Sequence, residues 1–496
     1  GGANVAIGNQ AMLAHETGGS NIAIGHNAMV GTGADNAKAS TDNIFIGQDC
    51  GGGSWGSGAS SNYNTAVGNF SMDAAMDGAI YNTALGFRAL GALTSGDYNL
   101  AAGKDAGLAL TTGTGNVFLG NGAGVAVTGT GNLAIGYTAL GVHTTGVRNI
   151  AIGEGAMNDT DAGSNSLNSS DNIFIGSHAG AGTWTNVLSQ YNIGIGTNTL
   201  DGGLDGADYN VMIGYGAGTA ITTAEKSIGI GGSALLSATT TTLNTAVGFE
   251  AGVSLTTGAG QNTFLGYQAG RQATTTTYSV FIGAYAGYNQ SIGSNGNVHI
   301  GWTAGQYASG SNNTFVGQEA GKGGTTSAPF SSGEGNTAIG KAALDVFTTG
   351  DNNVAVGINA LGGLTTANNN IGIGGSAGDA ITTGEANIII GSSAGSAITT
   401  DQYVTIVGYS SGQYMEAGNG NRYNSYFGAT AGYRGGPGIH QTYIGGEAGL
   451  YATGSYNTFV GSQAGEGGTT SAPYSSGENN TAIGYEALTA FTTGYS

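Results

Sequence analysis

The sequence predicts an all-β chain, a parallel β-solenoid or β-roll of about 27 coils, and three observations predict it. A five-residue phrase close to Asn-Thr-Ala-Ile-Gly recurs 27 times, first at residues 4–8 and last at 480–484. Its glycines most often lie 17 residues apart, too short for a helical repeat unit of roughly 30 residues and suited to one solenoid coil. Glycine supplies 99 of the 496 residues against 3 prolines, with no Gly-X-Y triplet, so the glycines mark turns and not a collagen helix.

Each segment of the coil has its own reason. Asparagine stands four residues before the motif glycine in 23 of the 27 coils, the departures being Ser227, Ser279, Val404 and Gln441. A column of such residues, represented by Asn21, Asn132, Asn387 and Asn480 with their glycines Gly25, Gly136, Gly391 and Gly484, is expected to form a structural ladder. Between them side chains alternate in facing, so Ile22 and Ile24 share one face while Ala23 takes the other. That second face varies among Ala, Gly and Phe, as at Phe118, Phe264 and Phe459, and is the expected surface against partner chains. Alanine fills the slot three residues after the glycine in 23 coils, followed by Leu, Met or Gly. Further on an apolar residue precedes two threonines, as in Leu110-Thr111-Thr112 and Ile381-Thr382-Thr383. The pattern reads as a strand of about five residues, a tight turn, a second short strand and a turn back, two strands per coil.

Of the 26 glycine-to-glycine steps, 19 span 16 to 18 residues and seven span 20 to 23. The extra residues are expected to leave the stack as loops near 26–43, 48–64, 154–172, 177–192, 318–336, 409–424 and 462–480. Segment 323–334 returns almost unchanged as 467–478, with Tyr474 for Phe330, which implies duplication of a block of eight coils. Trp55, Trp184, Phe330 and Tyr474 in these excursions are candidate loop contacts for a glycan, although packing down onto the rod is the commoner fate of such residues. The repeat runs through residues 1–496 without a compositional break and reads as one continuous shaft.

Charged residues make up only 8%, against about 25% in ordinary globular chains. Stacked coils explain this, because a charge at a repeated position would face its own copy about 4.8 Å above and below. The net charge of −19, from 10 basic and 29 acidic residues, disfavours nucleic acid and anionic membrane surfaces as partners. Cys50 is the only cysteine, so no internal disulfide forms, and it takes the small-residue slot after Gly47. No apolar run reaches the ~18 residues of a membrane-spanning helix. The chain starts on Gly1-Gly2 and stops inside a coil, which reads as a piece of a longer protein.

No catalytic or metal site and no cofactor is expected. Asp159, Asp161 and Asn165, and separately Asp201, Asp205 and Asp208, resemble parts of a calcium loop but lack its twelfth-position glutamate. The six histidines show no ligand spacing. Glu250, Glu319, Glu447 and Glu486 each lie two residues after a motif glycine, without a matched carboxylate on an adjacent coil as a glycoside hydrolase would need. Ice binding through the threonine columns requires a flat Thr-x-Thr plane, whereas adjacent threonines on a strand point to opposite faces.

The phrase Asn-Thr-Ala-Ile-Gly-Tyr-Glu-Ala-Leu at 480–488 resembles repeats of phage tail-fibre and other virion fibre proteins, and is similar also to the head repeats of trimeric autotransporter adhesins. The resemblance covers essentially the whole chain. It implies a homotrimeric, extracellular fibre shaft that holds or forms a host-attachment device, with a tip or chaperone domain often completing it. An adhesive filament binding a cell-surface glycan or protein receptor through its loops is the alternative; a polysaccharide hydrolase and an ice-binding protein are further ones. Twenty-seven coils at about 4.8 Å each imply a rod about 130 Å long with three chains in cross-section.

Overall fold

The computed structural model describes residues 2–493 apart from 34–36, 159–167, 186, 257, 259, 291–292, 328–329, 416–421, 469 and 472–473. Asp159, Asp161 and Asn165 lie outside the described residues. The chain divides into two compact units, Gly1–Phe249 with Thr256–Gly258, and Glu250–Leu255 with Ala259–Ser496. Among the described residues the first holds fourteen three-residue strands from β1 (Val5–Ile7) to β14 (Thr245–Val247), the second thirteen from β15 (Thr263–Leu265) to β27 (Thr481–Ile483). Within each unit consecutive strands pair in parallel with matching motif positions opposite each other, as Ala6 with Ala23 in the first and Phe264 with Phe281 in the second. Each unit is therefore a parallel β-solenoid wound on the repeat. No helix among the described residues is long and apolar enough to cross a membrane.

One strand per coil is found among the described residues, where two were expected. The segment after the motif glycine is a run of turns, because its second and fourth residues adopt left-handed backbone, as Thr138 (φ 52°) and Leu140 (φ 54°) do after Gly136. Positive φ breaks the pleat that a strand requires. These turns are still joined coil to coil by backbone bonds such as Leu90 N–H to the Ala106 carbonyl (2.9 Å) and Thr94 N–H to the Thr111 carbonyl (2.9 Å). The near-identical excursions add matching parallel bridges, Ala308 to Ser331 and Ala452 to Ser475.

The facing of the strand is the reverse of the expected one. Its central residue points inward and is buried, from Ala23 and Phe118 to Phe459, whereas the residues on either side are half-buried or exposed. The variable Ala/Gly/Phe position is thus core and not partner surface. Its variation follows a packing rule within the coil. All thirteen coils with a bulky central residue (Phe, Tyr, Met, Ile or His) have glycine six residues later, and eleven of the fourteen with Ala or Gly there have Leu or Met. A Cβ on Gly270 would lie 2.9 Å from the Phe264 ring, whereas Leu140 fills the same place over Ala134. In two of the three small-small coils the space is taken by a neighbour: Gly107 faces Phe118, and Gly378 faces Ile389 and Leu361. Interior volume stays near constant from coil to coil, as close packing demands.

Candidate functional site

The asparagine column forms a hydrogen-bond ladder that runs from coil to coil within each unit, interrupted at Val404 in the second. The Asn132 backbone N–H donates to the Asn116 side-chain oxygen (2.9 Å), its amide NH₂ donates to the Gly146 carbonyl (3.0 Å), and its own oxygen accepts from the Asn149 N–H (2.9 Å). Asn387 repeats this with Asn370 (3.0 Å), the Asp401 carbonyl (2.8 Å) and the Val404 N–H (3.0 Å). Asn21 bonds Asn4, Ser40 and Asn43, and Asn480 bonds Asn457. Burial is affordable only because every amide group is satisfied in this way. Gly25, Gly136 and Gly391 sit at φ near 137°, and a Cβ on any of them would overlap the carbonyl oxygen of the motif glycine in the next coil. Gly484 in the last coil has the same backbone (φ 128°) but nothing above it.

At Val404 the ladder loses its side chain, and an ion pair stands close by. Arg422 and Asp401 are both buried, joined by Nε–Oδ1 at 2.5 Å, and the guanidinium also donates to the Gly436 carbonyl (2.7 Å). Sequence reasoning missed this pair, and its signal was the loss of Asn at position 404.

The candidate loop contacts separate into two groups. Trp55 and Trp184 do not stand at loop tips: both are buried, edge-on to Phe45 and Phe174, with indole N–H groups bonded to the Gly51 (2.9 Å) and Gly180 (3.1 Å) carbonyls. Each indole thus bonds to the carbonyl of the glycine six residues after the central phenylalanine. Phe330 and Tyr474 are half-buried and stack on Tyr307 (6.4 Å) and Tyr451 (6.2 Å). The Tyr474 hydroxyl also accepts from Arg434 (2.8 Å), whose guanidinium lies over the rings of Tyr414, Tyr433 and Tyr474.

The carboxylates singled out in the sequence mostly serve as local ties. Glu250 pairs with Arg271 (2.6 Å), which holds its carboxyl below the usual range, and Glu447 accepts from Gln463 (2.7 Å). Asp205 and Asp208 accept from the backbone of Val187 (3.0 Å) and Gln190 (2.6 Å), and burial raises the Asp201 and Asp208 carboxyls. Among the described residues no group of three or more His, Cys, Asp or Glu side chains converges on a metal position. The Cys50 thiol, 3.1 Å from the Ser71 hydroxyl, is buried and pushed up to about 11. Adjacent threonines such as Thr365 and Thr366 lie in a bend and not in a strand. The first donates its hydroxyl to the next coil, as Thr365 does to the Thr382 carbonyl (3.1 Å), while Thr349, Thr366 and Thr383 form an exposed column beside it.

The first unit also carries an open groove of about 590 Å³, walled by Phe70, Phe87 and Leu108 and flanked by Asp73 and Arg88. Phe70 and Phe87 meet edge to face at 5.8 Å, and Arg88 lies 3.5 Å from Asp105. Burial, and then the charge of Asp49, raises the Asp73 carboxyl. An apolar wall with one acid and one cation at its rim suits a small polar ring compound. The chain matches no protein-family model and no curated protein.

Proposed function

We propose that this chain is the structural shaft of an extracellular fibre, a virion tail fibre or surface appendage, in which three copies pack side by side. One observation carries the reading. The strand residue just before the motif glycine points outward, and it is apolar in all 27 coils, being Ile, Leu or Val in 25 of them. Ile7, Leu85, Leu265, Ile339 and Ile444 are among those left exposed. A stripe of aliphatic side chains repeating at every coil is more apolar surface than a solitary soluble chain ordinarily leaves in water. A second copy offers the same stripe at the same axial spacing, so every rung finds its match, and closed symmetry satisfies all copies equally. A wall with few charges, and with no convergent group of His, Cys, Asp or Glu side chains among the described residues, fits a load-bearing role.

Native mass spectrometry and sedimentation of the purified chain test this. The wild type should run as a trimer, and lysines at Ile373 and Ile390 on adjacent coils should release monomers whose circular dichroism is unchanged. A wild-type monomer would sink the proposal.

The groove at Phe87 favours a second reading, an adhesive filament that holds a sugar ring against the phenylalanine wall with its hydroxyls on Asp73 and Arg88. Glycan-array binding lost in Phe87→Ala, with oligomeric state preserved, is the outcome this reading requires.

A further inference from the structure

The residue five before the motif glycine has left-handed backbone in all 27 coils, with φ between 51° and 72°. Glycine and asparagine bear this conformation at least cost, and they occupy it at Gly115, Gly131, Asn352 and Asn369. Yet nine of the 27 positions hold tyrosine. A large aromatic residue in a strained turn, exposed to water, contributes little to the core, so its recurrence calls for a role at the surface.

Seven of the nine fall in consecutive coils, and their rings form stacks. Tyr63, Tyr81 and Tyr98 follow one another at centroid distances of 4.9 and 5.2 Å with interplanar angles of 5° and 13°. Tyr191 and Tyr209 stack at 4.8 Å and 13°, and Tyr403 and Tyr423 at 5.3 Å and 4°, with His440 and Tyr456 continuing that ladder. These seven paired tyrosines are 45 to 61% exposed. Because the ring faces are turned to each other, what they offer to solvent is their edges, where the hydroxyl and the ortho carbons lie.

The geometry points to these ladders as sites of oxidative coupling, at which a peroxide-driven one-electron oxidant such as a haem peroxidase joins tyrosines of successive coils as dityrosine. Hydrogen peroxide takes one electron and one proton from each of two phenols and leaves as two waters. The two phenoxyl radicals combine through their ortho carbons, forming one C–C bond, and the displaced ortho hydrogens shift to the oxygens as the rings regain aromaticity. Coupling of two short-lived radicals depends on their being neighbours when they form. A parallel in-register turn holds the partner phenol one coil away, and exposure leaves both rings free to tilt edge to edge. The products are Tyr63–Tyr81 or Tyr81–Tyr98, Tyr191–Tyr209 and Tyr403–Tyr423, each a covalent tie between neighbouring coils.

Treating the full chain with hydrogen peroxide and a peroxidase, then mapping cross-linked peptides by mass spectrometry, tests the assignment. Tyr137 and Tyr215 are internal controls, since they are 58% and 66% exposed and stack on no ring among the described residues. Coupling at the named pairs should exceed coupling at the controls at least tenfold, and the products should keep monomer mass on a denaturing gel. Tyr81→Phe retains the stack and hence the fold; it should abolish both products of the first ladder while leaving Tyr191–Tyr209 and Tyr403–Tyr423. Coupling at Tyr137 or Tyr215 equal to that of the stacked pairs, links predominantly between chains, or no dityrosine at the ladders would each overturn the inference.

Discussion

His299 takes the central strand position that Phe281 and Phe315 hold in the coils before and after it, and its ring is stacked between theirs at 4.9 and 5.0 Å. Neither ring nitrogen has a hydrogen-bond partner, and burial lowers its pKa to about 3. His143, buried against Trp184, is lowered to about 4 for the same reason, only partly offset by its bond to the Ser169 carbonyl. The unfolded chain binds these protons near pH 6.5 while the folded chain does not, so stability is full above that value and falls as pH drops toward 4 and 3. The slope approaches ~1.4 kcal/mol per pH unit for each histidine. His299→Phe extends an existing aromatic stack and removes two unpartnered nitrogens. It should raise the stability of its unit by about 1–3 kcal/mol at neutral pH and flatten the acid side of its denaturation profile, measured by urea unfolding between pH 4 and 7. At the motif glycine the constraint is steric: Gly136→Ala places a methyl against the Gly153 carbonyl in a backbone that alanine disfavours. We expect a loss of ~3 kcal/mol or more from that single methyl, read from the same unfolding curves.

Within a coil, the size of the central strand residue and the residue six positions on are linked, and the link makes a sharp prediction. Phe118→Ala should cost about 3–5 kcal/mol through the cavity left at its place. Gly124→Leu alone should also destabilise, since its side chain would enter space the Phe118 ring occupies. Combined, they recreate the Ala134–Leu140 type of coil and should recover part of the loss, giving a coupling energy of about 1–3 kcal/mol in a double-mutant cycle. Additive losses would show that the two positions do not share one space. This rule lay open in the sequence, yet reading the strand with its sides reversed hid it. Ile22 and Ile24 look more like core than Ala23 does, and alternation tells which residues share a face without telling which face is inside. The second strand failed for a related reason. Leucine or methionine after the alanine slot suggested a pleated segment, whereas the backbone turns left-handed there, as Leu140 and Leu361 show. Side chains of strand-like character do not exclude a turn whose hydrogen bonds are supplied by the neighbouring coil.

At the scale of the molecule, a solenoid unit is a row of near-equivalent coils whose stability comes from contact between neighbours. Deleting residues 374–390 of the second unit removes one 17-residue period and joins Ile373 to Gly391 in the same phrase. Such a chain should fold with its circular dichroism per residue unchanged and only a small fall in melting temperature, whereas a deletion of eight residues from the same place should abolish folding of the region. The repeat period, the parallel stacking, the asparagine ladder and the glycine column were all legible in the amino-acid sequence, because each depends on one residue type returning at one spacing, and stacking equal units is what such spacing means physically. Tertiary structure alone decided which strand face is interior, that Trp55 and Trp184 enter the core, that Arg422 and Asp401 pair beneath the broken ladder, and that tyrosines from successive coils form stacks. Each of these turns on the direction in which a side chain leaves the backbone, and that direction is set by left-handed turns whose φ angles the order of residues does not reveal.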